Sequence, residues 1–186
     1  MKYLIAGLGN IGDEYANTRH NIGFQVLDAF VRLSGVSFQT GRYAATCKVR
    51  AKSHELLLIK PSTYMNLSGK AVRYWLEKEN IPVSHLLVII DDLALPQNTL
   101  RLKLQGGDGG HNGLYSIIET LETKEFARLR FGIGKDFPKG HQTEFVLGPW
   151  TPEEMEWVNP KILEAVEAIK SFVTAGSGET MTKFNK

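Results

Sequence analysis

The run Leu86-Leu87-Val88-Ile89-Ile90 constrains the fold more than any other stretch of the chain. It is apolar and partly β-branched, has no polar residue alternating through it, and stops abruptly at Asp91-Asp92. Such a segment, read over residues 85–90, cannot leave one face in water. It belongs at the centre of a sheet covered on both sides.

The rest of the chain supplies neighbours and covers. Residues 2–8 read as a second short buried strand. Ile22, Val26, Leu27, Phe30 and Val31 recur at helical spacing and stop near Gly35. Residues 44–51 and 55–59 look like two strands joined by Lys52-Ser53-His54 in a hairpin, with Pro61 ending the second. Val72, Trp75 and Leu76 mark a helix that closes before Pro82. Residues 100–104 and 127–133 read as strands, the first carrying Arg101 and Lys103, the second Arg128 and Arg130; residues 114–121 read as a helix between them. Thr151-Pro152-Glu153-Glu154 is a helix start, with Thr as N-cap and Glu three positions on. Met155, Val158, Ile162, Val166, Ile169 and Val173 give that helix an apolar stripe for the core. The tail from Gly176 is small and polar and reads as loosely held.

Strands interleaved with helices predict an α/β protein: one domain, residues 1–186, with a twisted, mostly parallel mixed sheet flanked by helices on both faces. Ligands of such sheets gather beyond the carboxyl ends of the strands. The chain has 186 residues, 42% hydrophobic and 23% charged, enough for one real core. A net charge of +2 is too small to draw nucleic acid by overall field, so any RNA binding requires a local patch. The lone Cys47 cannot form an internal disulfide, which suits a reducing compartment. Residues 1–8 are too short and too soon broken by glycine for a signal peptide, and no apolar run approaches a membrane span. The expected protein is cytoplasmic and makes no membrane contact.

Gly7, Gly9 and Gly12 satisfy the G-x-G-x-x-G pattern directly after a strand. A dinucleotide site needs a helix opening on the third glycine, whereas the polar stretch Asp13-Glu14-Tyr15-Ala16-Asn17-Thr18-Arg19 follows here. Tight turning that lets Asn10 face a cleft is the better account.

The loops after the apolar runs instead carry amides, imidazoles and carboxylates: Asn10, His20-Asn21, Asn66, Asp91-Asp92 and His111-Asn112. No nucleophile elbow, phosphate-binding loop or metal-spaced histidine pair is present. A neutral imidazole can take a proton from water near pH 7, and a carboxylate on its other nitrogen fixes the tautomer and stabilises the imidazolium. Asparagines can hold a developing oxyanion without adding charge. Each piece has a plainer alternative: Asn66 and Asn112 as helix N-caps, Asp91-Asp92 as a Mg²⁺ site or a solvated turn, His111 as a cap. Pattern alone reaches a hydrolase or ligand-binding α/β domain.

The longer blocks go further. Gly7-Leu8-Gly9-Asn10-Ile11-Gly12-Asp13-Glu14-Tyr15-Ala16-Asn17-Thr18-Arg19-His20-Asn21-Ile22-Gly23 resembles the opening signature of bacterial peptidyl-tRNA hydrolases. Lys60-Pro61-Ser62-Thr63-Tyr64-Met65-Asn66-Leu67-Ser68-Gly69 resembles their second block. Asp91-Asp92-Leu93 with Pro96, Gly109-Gly110-His111-Asn112-Gly113-Leu114, Arg128-Leu129-Arg130-Phe131-Gly132-Ile133-Gly134 and Phe145-Val146-Leu147 continue the likeness over nearly the whole chain.

The resemblance implies cleavage of the ester between a peptide and the 3′ ribose of tRNA, by a monomer without cofactor or metal. It implies His20 as the base, Asp91 as the stabiliser of its proton-accepting form, and Asn10 as the residue distinguishing a blocked from a free amine. Tyr15, Tyr64, Met65, Asn66, His111 and Asn112 would hold the peptide and the 3′ end. Lys103 and Arg130 would contact tRNA phosphate, with Arg101, Arg128, Lys135 and Lys139 as possible extensions of that patch. Ile11 stands where the family usually has Pro, and Ala94 replaces an acidic residue at the cleft rim. Asp108 and Gln105 make the glycine loop less basic than in some relatives. The rival expectation is a non-catalytic RNA-binding accessory protein of the same fold, which would not need a water-activating pair.

Overall fold

In the computed structural model, which describes residues 1–186, the central apolar run forms β5 (Leu86–Asp92). It pairs in parallel with β1 (Lys2–Gly7) on one side and β7 (Ala127–Gly132) on the other. β4 (His54–Pro61) lies parallel on the far side of β1, so four parallel strands make the buried centre. β2 (Gln39–Gly41), β3 (Ala44–Ala51) and β6 (Leu100–Lys103) add antiparallel edges, giving a seven-stranded mixed sheet in the order β2-β3-β4-β1-β5-β7-β6.

The period of two along β5 divides its side chains between two cores. Leu87 and Ile89 pack with α1 (Ile22–Ser34) and α5 (Pro152–Thr174); Val88 and Ile90 pack with α2 (Ser68–Lys78) and α3 (Asn112–Leu121). Each helix lays its apolar stripe inward, as its spacing predicts. Gly35 ends α1 in the left-handed conformation at φ 70°, a position that glycine occupies at no steric cost. The Thr151–Glu154 capping box is complete in both directions, with Pro152 at the first turn of α5. Gly7 and Gly23 meet where the end of β1 touches the start of α1. A Cβ on either would collide with backbone of the other segment, so the turn preceding α1 is pressed against the end of the sheet.

The structure departs from sequence expectation in three places. β2 and α4 (Gln142–Val146) are too short to leave a periodic signature. β5 runs through Asp91 and Asp92, so these carboxylates stand on a strand end rather than in a turn. The tail is not loose. It forms α6 (Ser177–Phe184), with Thr180 and Phe184 buried, and the Asn185 amide bonds both the N–H (2.7 Å) and the C=O (2.9 Å) of Leu102. Two anchoring residues in a polar stretch suffice to cover the outer edge of β6, a protection that composition does not reveal.

Candidate active site

The chain leaves β1 for the β2–β4 side and crosses back to β5 on the other, so connections diverge between β1 and β5. A crevice opens at such a switch point. Four segments meet there: the loop after β1 carrying Asn10, the single 3-10 turn Arg19–Asn21 before α1, the end of β5, and the glycine loop that leads into α3. With the β4–α2 connection, β6 and β7, they line a cavity of about 420 Å³ whose walls include Asn10, His20, Met65, Asn66, Asp91, Lys103, His111, Asn112 and Arg130.

His20 Nδ1 lies 3.0 and 2.9 Å from the two carboxylate oxygens of Asp91, and both side chains are almost fully buried. An ionised carboxylate can only accept, so Nδ1 carries the proton and Nε2 is the nitrogen offered to the cavity. Burial works to lower the His20 pKa, but the Asp91 charge and hydrogen bond outweigh it and hold it above the usual imidazole range. Burial works to raise Asp91; the charge of His20 and the imidazole partners on its oxygens hold it well below the usual carboxylate range.

His111 Nε2 lies 2.9 Å from Asp91 Oδ1, and its Nδ1 accepts from the backbone N–H groups of Gly113 and Leu114 at 3.1 and 3.3 Å. His111, not Asn112, is therefore the N-cap of α3. Asn112 is the first helical residue, and its side chain remains free on the cavity wall.

Asn10 is held at every polar group but one. Its backbone N–H and C=O pair with the Asn21 side chain, each at 2.8 Å, and its Oδ1 accepts the Met65 N–H at 2.8 Å. Tyr64, just before Met65, sits in the left-handed region at φ 63°, a conformation costing about 1–3 kcal/mol for a bulky residue that aims the next N–H at Asn10. Only the Asn10 Nδ2 donor is left for the cleft.

The cations divide sharply. Lys103 and Arg130 line the cavity, Arg130 paired at 3.0 Å with Asp92. Arg128 also reaches the cavity wall but is 1% exposed. Its guanidinium donates to the carbonyls of Gly106, Gly107, Lys124 and Phe126 and lies over the Phe126 ring. Burial and the neighbouring Arg130 charge pull its pKa down. Arg128 is thus a clamp on the glycine loop rather than an extension of the surface patch. Arg101, Lys135 and Lys139 are exposed and outside the cavity lining. Tyr15 and Tyr64 also fall outside it, Tyr64 half-exposed.

Sequence reasoning passed over Arg19. Its guanidinium bonds Glu154 at 2.7 Å and the Phe145 carbonyl at 3.0 Å and stacks on the Phe145 ring, tying the His20 turn to α4 and α5. Arg19 ends a polar stretch, where nothing in the sequence distinguishes a buried cation from a solvated one. Gln142, Thr143, Val146 and Leu147 of the α4 segment, also unforeseen, close one side of the cavity.

The family model described as peptidyl-tRNA hydrolase matches residues 4–186. The peptidyl-tRNA hydrolase of Phocaeicola vulgatus is 58% identical over 186 residues, covering 100% of both chains, and that of Bacteroides fragilis 57% identical over the same span. Among solved structures, peptidyl-tRNA hydrolase from Acinetobacter baumannii superposes with a TM-score of 0.91 at 33% identity, covering 97% of this chain and 92% of that one. The chain belongs to the peptidyl-tRNA hydrolase family.

In this member of the peptidyl-tRNA hydrolase family, the ligand atoms of His20, Asp91 and His111 lie within 4.8 Å of one another, close enough to bracket a metal ion. The hydrogen bonding does not suit one. His111 Nδ1 accepts backbone N–H groups, so its Nε2 must keep the proton that a metal would displace. The departures from the family pattern are absorbed locally. Ile11 is exposed, the Ala94 N–H is bonded by Asp92 Oδ1 at 2.7 Å, and Asp108 turns inward to bond the Gly110 N–H at 2.7 Å.

Proposed function

We propose that this chain hydrolyses the ester between a peptide and the 3′ ribose of tRNA, with His20 as the general base on water. The observation that carries the assignment is the buried His20–Asp91 couple, which leaves one imidazole nitrogen bare at the wall of a polar cavity. Nε2 takes a proton from water as its oxygen attacks the ester carbonyl. Asp91 stabilises the imidazolium that forms. The tetrahedral intermediate then collapses, and the ribose oxygen leaves with the proton that His20 returns. Base catalysis of this kind contributes about 10²–10⁴-fold, sufficient for an ester already more reactive than an amide.

The asparagines supply what the base cannot. Asn66 and Asn112 offer amide donors to the developing oxyanion or to the 3′-terminal ribose. Asn10 Nδ2 offers a donor to a peptide carbonyl and no acceptor to an ammonium, which favours a blocked over a free aminoacyl group. Met65, almost fully buried, lines the same cavity. Tyr64, exposed beside Met65, and Tyr15 are assigned to stacking on the terminal base, worth about 1–3 kcal/mol each. Lys103 and Arg130 bind phosphate, each adding roughly 0.7–0.9 to the log–log dependence of affinity on salt. We read the protein as a monomer, since the donors and base belong to one chain, and as cytoplasmic, since its proposed substrate arises in translation; no helix is long and apolar enough to cross a membrane.

The test is release of the acyl group from N-acetyl-aminoacyl-tRNA by the parent chain and by His20→Ala. Turnover by the parent and its loss in the variant, with tRNA binding and melting temperature retained, is expected. Binding without turnover by the parent would instead identify an RNA-binding accessory protein.

A further inference from the structure

We infer that His111 is a positioning residue for the base: its imidazole N–H occupies part of the Asp91 carboxylate and so sets how strongly Asp91 draws a proton onto His20. The inference rests on the assignment of His20 as base, and follows from the placement of protons around Asp91.

A backbone N–H can only donate. With two of them, from Gly113 and Leu114, directed at His111 Nδ1, that nitrogen keeps its lone pair, and the ring proton resides on Nε2. Nε2 faces Asp91 Oδ1 at 2.9 Å, so the tautomer is chosen by the start of α3. The His111 side chain is 8% exposed, and its ring centroid stands 4.9 Å from that of His20.

Asp91 therefore receives one imidazole donor that changes during the reaction and one that does not. Each N–H donated to a carboxylate lowers its remaining basicity. With His20 alone, Asp91 would bind the imidazolium more tightly and keep the base protonated to higher pH, idle where it must accept from water. The other charges nearby are already engaged or distant. Asp92 is paired with Arg130, Asp108 bonds Gly110, Arg128 bonds loop carbonyls, Arg19 pairs with Glu154, and Lys103 stands on the cavity wall. None of them bonds Asp91, so the two imidazoles are the carboxylate's only side-chain partners.

His111→Asn separates the two duties of the side chain. Asparagine is a good N-cap and keeps α3 anchored, but it is too short to reach Asp91. The measurements are an NMR titration of the His20 imidazole in the free protein and the pH profile of kcat/KM on N-acetyl-aminoacyl-tRNA. The His20 midpoint should rise by about one pH unit, and the acid limb should move with it. Turnover then falls several-fold below neutral pH, recovers in alkali, and leaves the melting temperature nearly unchanged. His111→Ala should show the same rise together with a loss of stability, since the cap goes too. An unmoved His20 midpoint, with turnover either intact or lowered equally at all pH values, would overturn the proposal. A midpoint that rises while the limb stays put upholds the coupling and rejects His20 as the base.

Discussion

Asn10 Oδ1 accepts the backbone N–H of Met65 at 2.8 Å, joining the loop after β1 to a residue 55 positions away. Because the oxygen is committed there, the group that Asn10 turns to the cleft is a donor. In the role proposed for it, a peptide carbonyl would meet a partner there, and the ammonium of a free aminoacyl ester would meet another donor. Asn10→Asp keeps the Met65 bond and replaces the donor with a charged acceptor that welcomes an ammonium. Preference for N-acetyl-aminoacyl-tRNA over free aminoacyl-tRNA should drop by about 10–100-fold, the value of a charge-assisted hydrogen bond. The ratio of kcat/KM on the two substrates checks this; an unchanged ratio rejects the role.

The pH dependence follows from opposing influences on His20. Burial lowers its pKa, while the Asp91 charge and hydrogen bond raise it above the usual range. The proposed base works unprotonated, so turnover should climb with pH through the His20 midpoint. Asp91→Asn removes both raising influences and leaves burial, so the acid limb should move to lower pH. The plateau should fall by about 10²–10⁴-fold, because the imidazolium loses its stabiliser. The stability effect has a defined window. A raised histidine stabilises the fold below its unfolded pKa and ceases to do so as pH rises through its folded one. A depressed carboxylate stabilises above its unfolded pKa and ceases as pH falls. The variant's deficit should therefore be largest between about pH 4 and 6.5 and narrow in alkali, as urea unfolding across pH would show.

How much of this was legible in the sequence depends on how local each feature is. β5 and α1 declare themselves because side-chain periodicity answers directly to burial, and the capping box at Thr151 is a local rule. The His20–Asp91 contact spans 71 positions, so only resemblance pointed to it. Asn21, read merely as one more amide, proves to hold the Asn10 backbone at both ends. Arg128 and Arg130 alternate on one strand and look equivalent in sequence. The glycine loop folds over the first and leaves the second in the cleft, a distinction written in non-local packing.

That distinction is measurable. Lys103→Ala and Arg130→Ala should each reduce the slope of log binding constant against log salt by about 0.7–0.9. Arg128→Met should leave the slope alone and instead lower stability by about 2–3 kcal/mol, since loop and strand carbonyls lose their shared donor. A slope change in the Arg128 variant, or none in the other two, would relocate the phosphate contacts.

The tail provides the last test. Asn185 satisfies both backbone groups of Leu102, the residue before Lys103, and Phe184 is buried in the core shared by α5 and β7. Phe184→Ala should lower unfolding free energy by about 2–4 kcal/mol, at the lower end of core aromatic truncations because the site lies near a terminus. Removing residues 177–186 should do more. It bares the edge of β6, where an unpaired N–H and C=O can recruit another strand, and frees the strand that presents Lys103. Self-association in size-exclusion chromatography and weaker tRNA binding should appear together. A truncated chain with parental melting, elution and affinity would show that β6 holds its edge without α6.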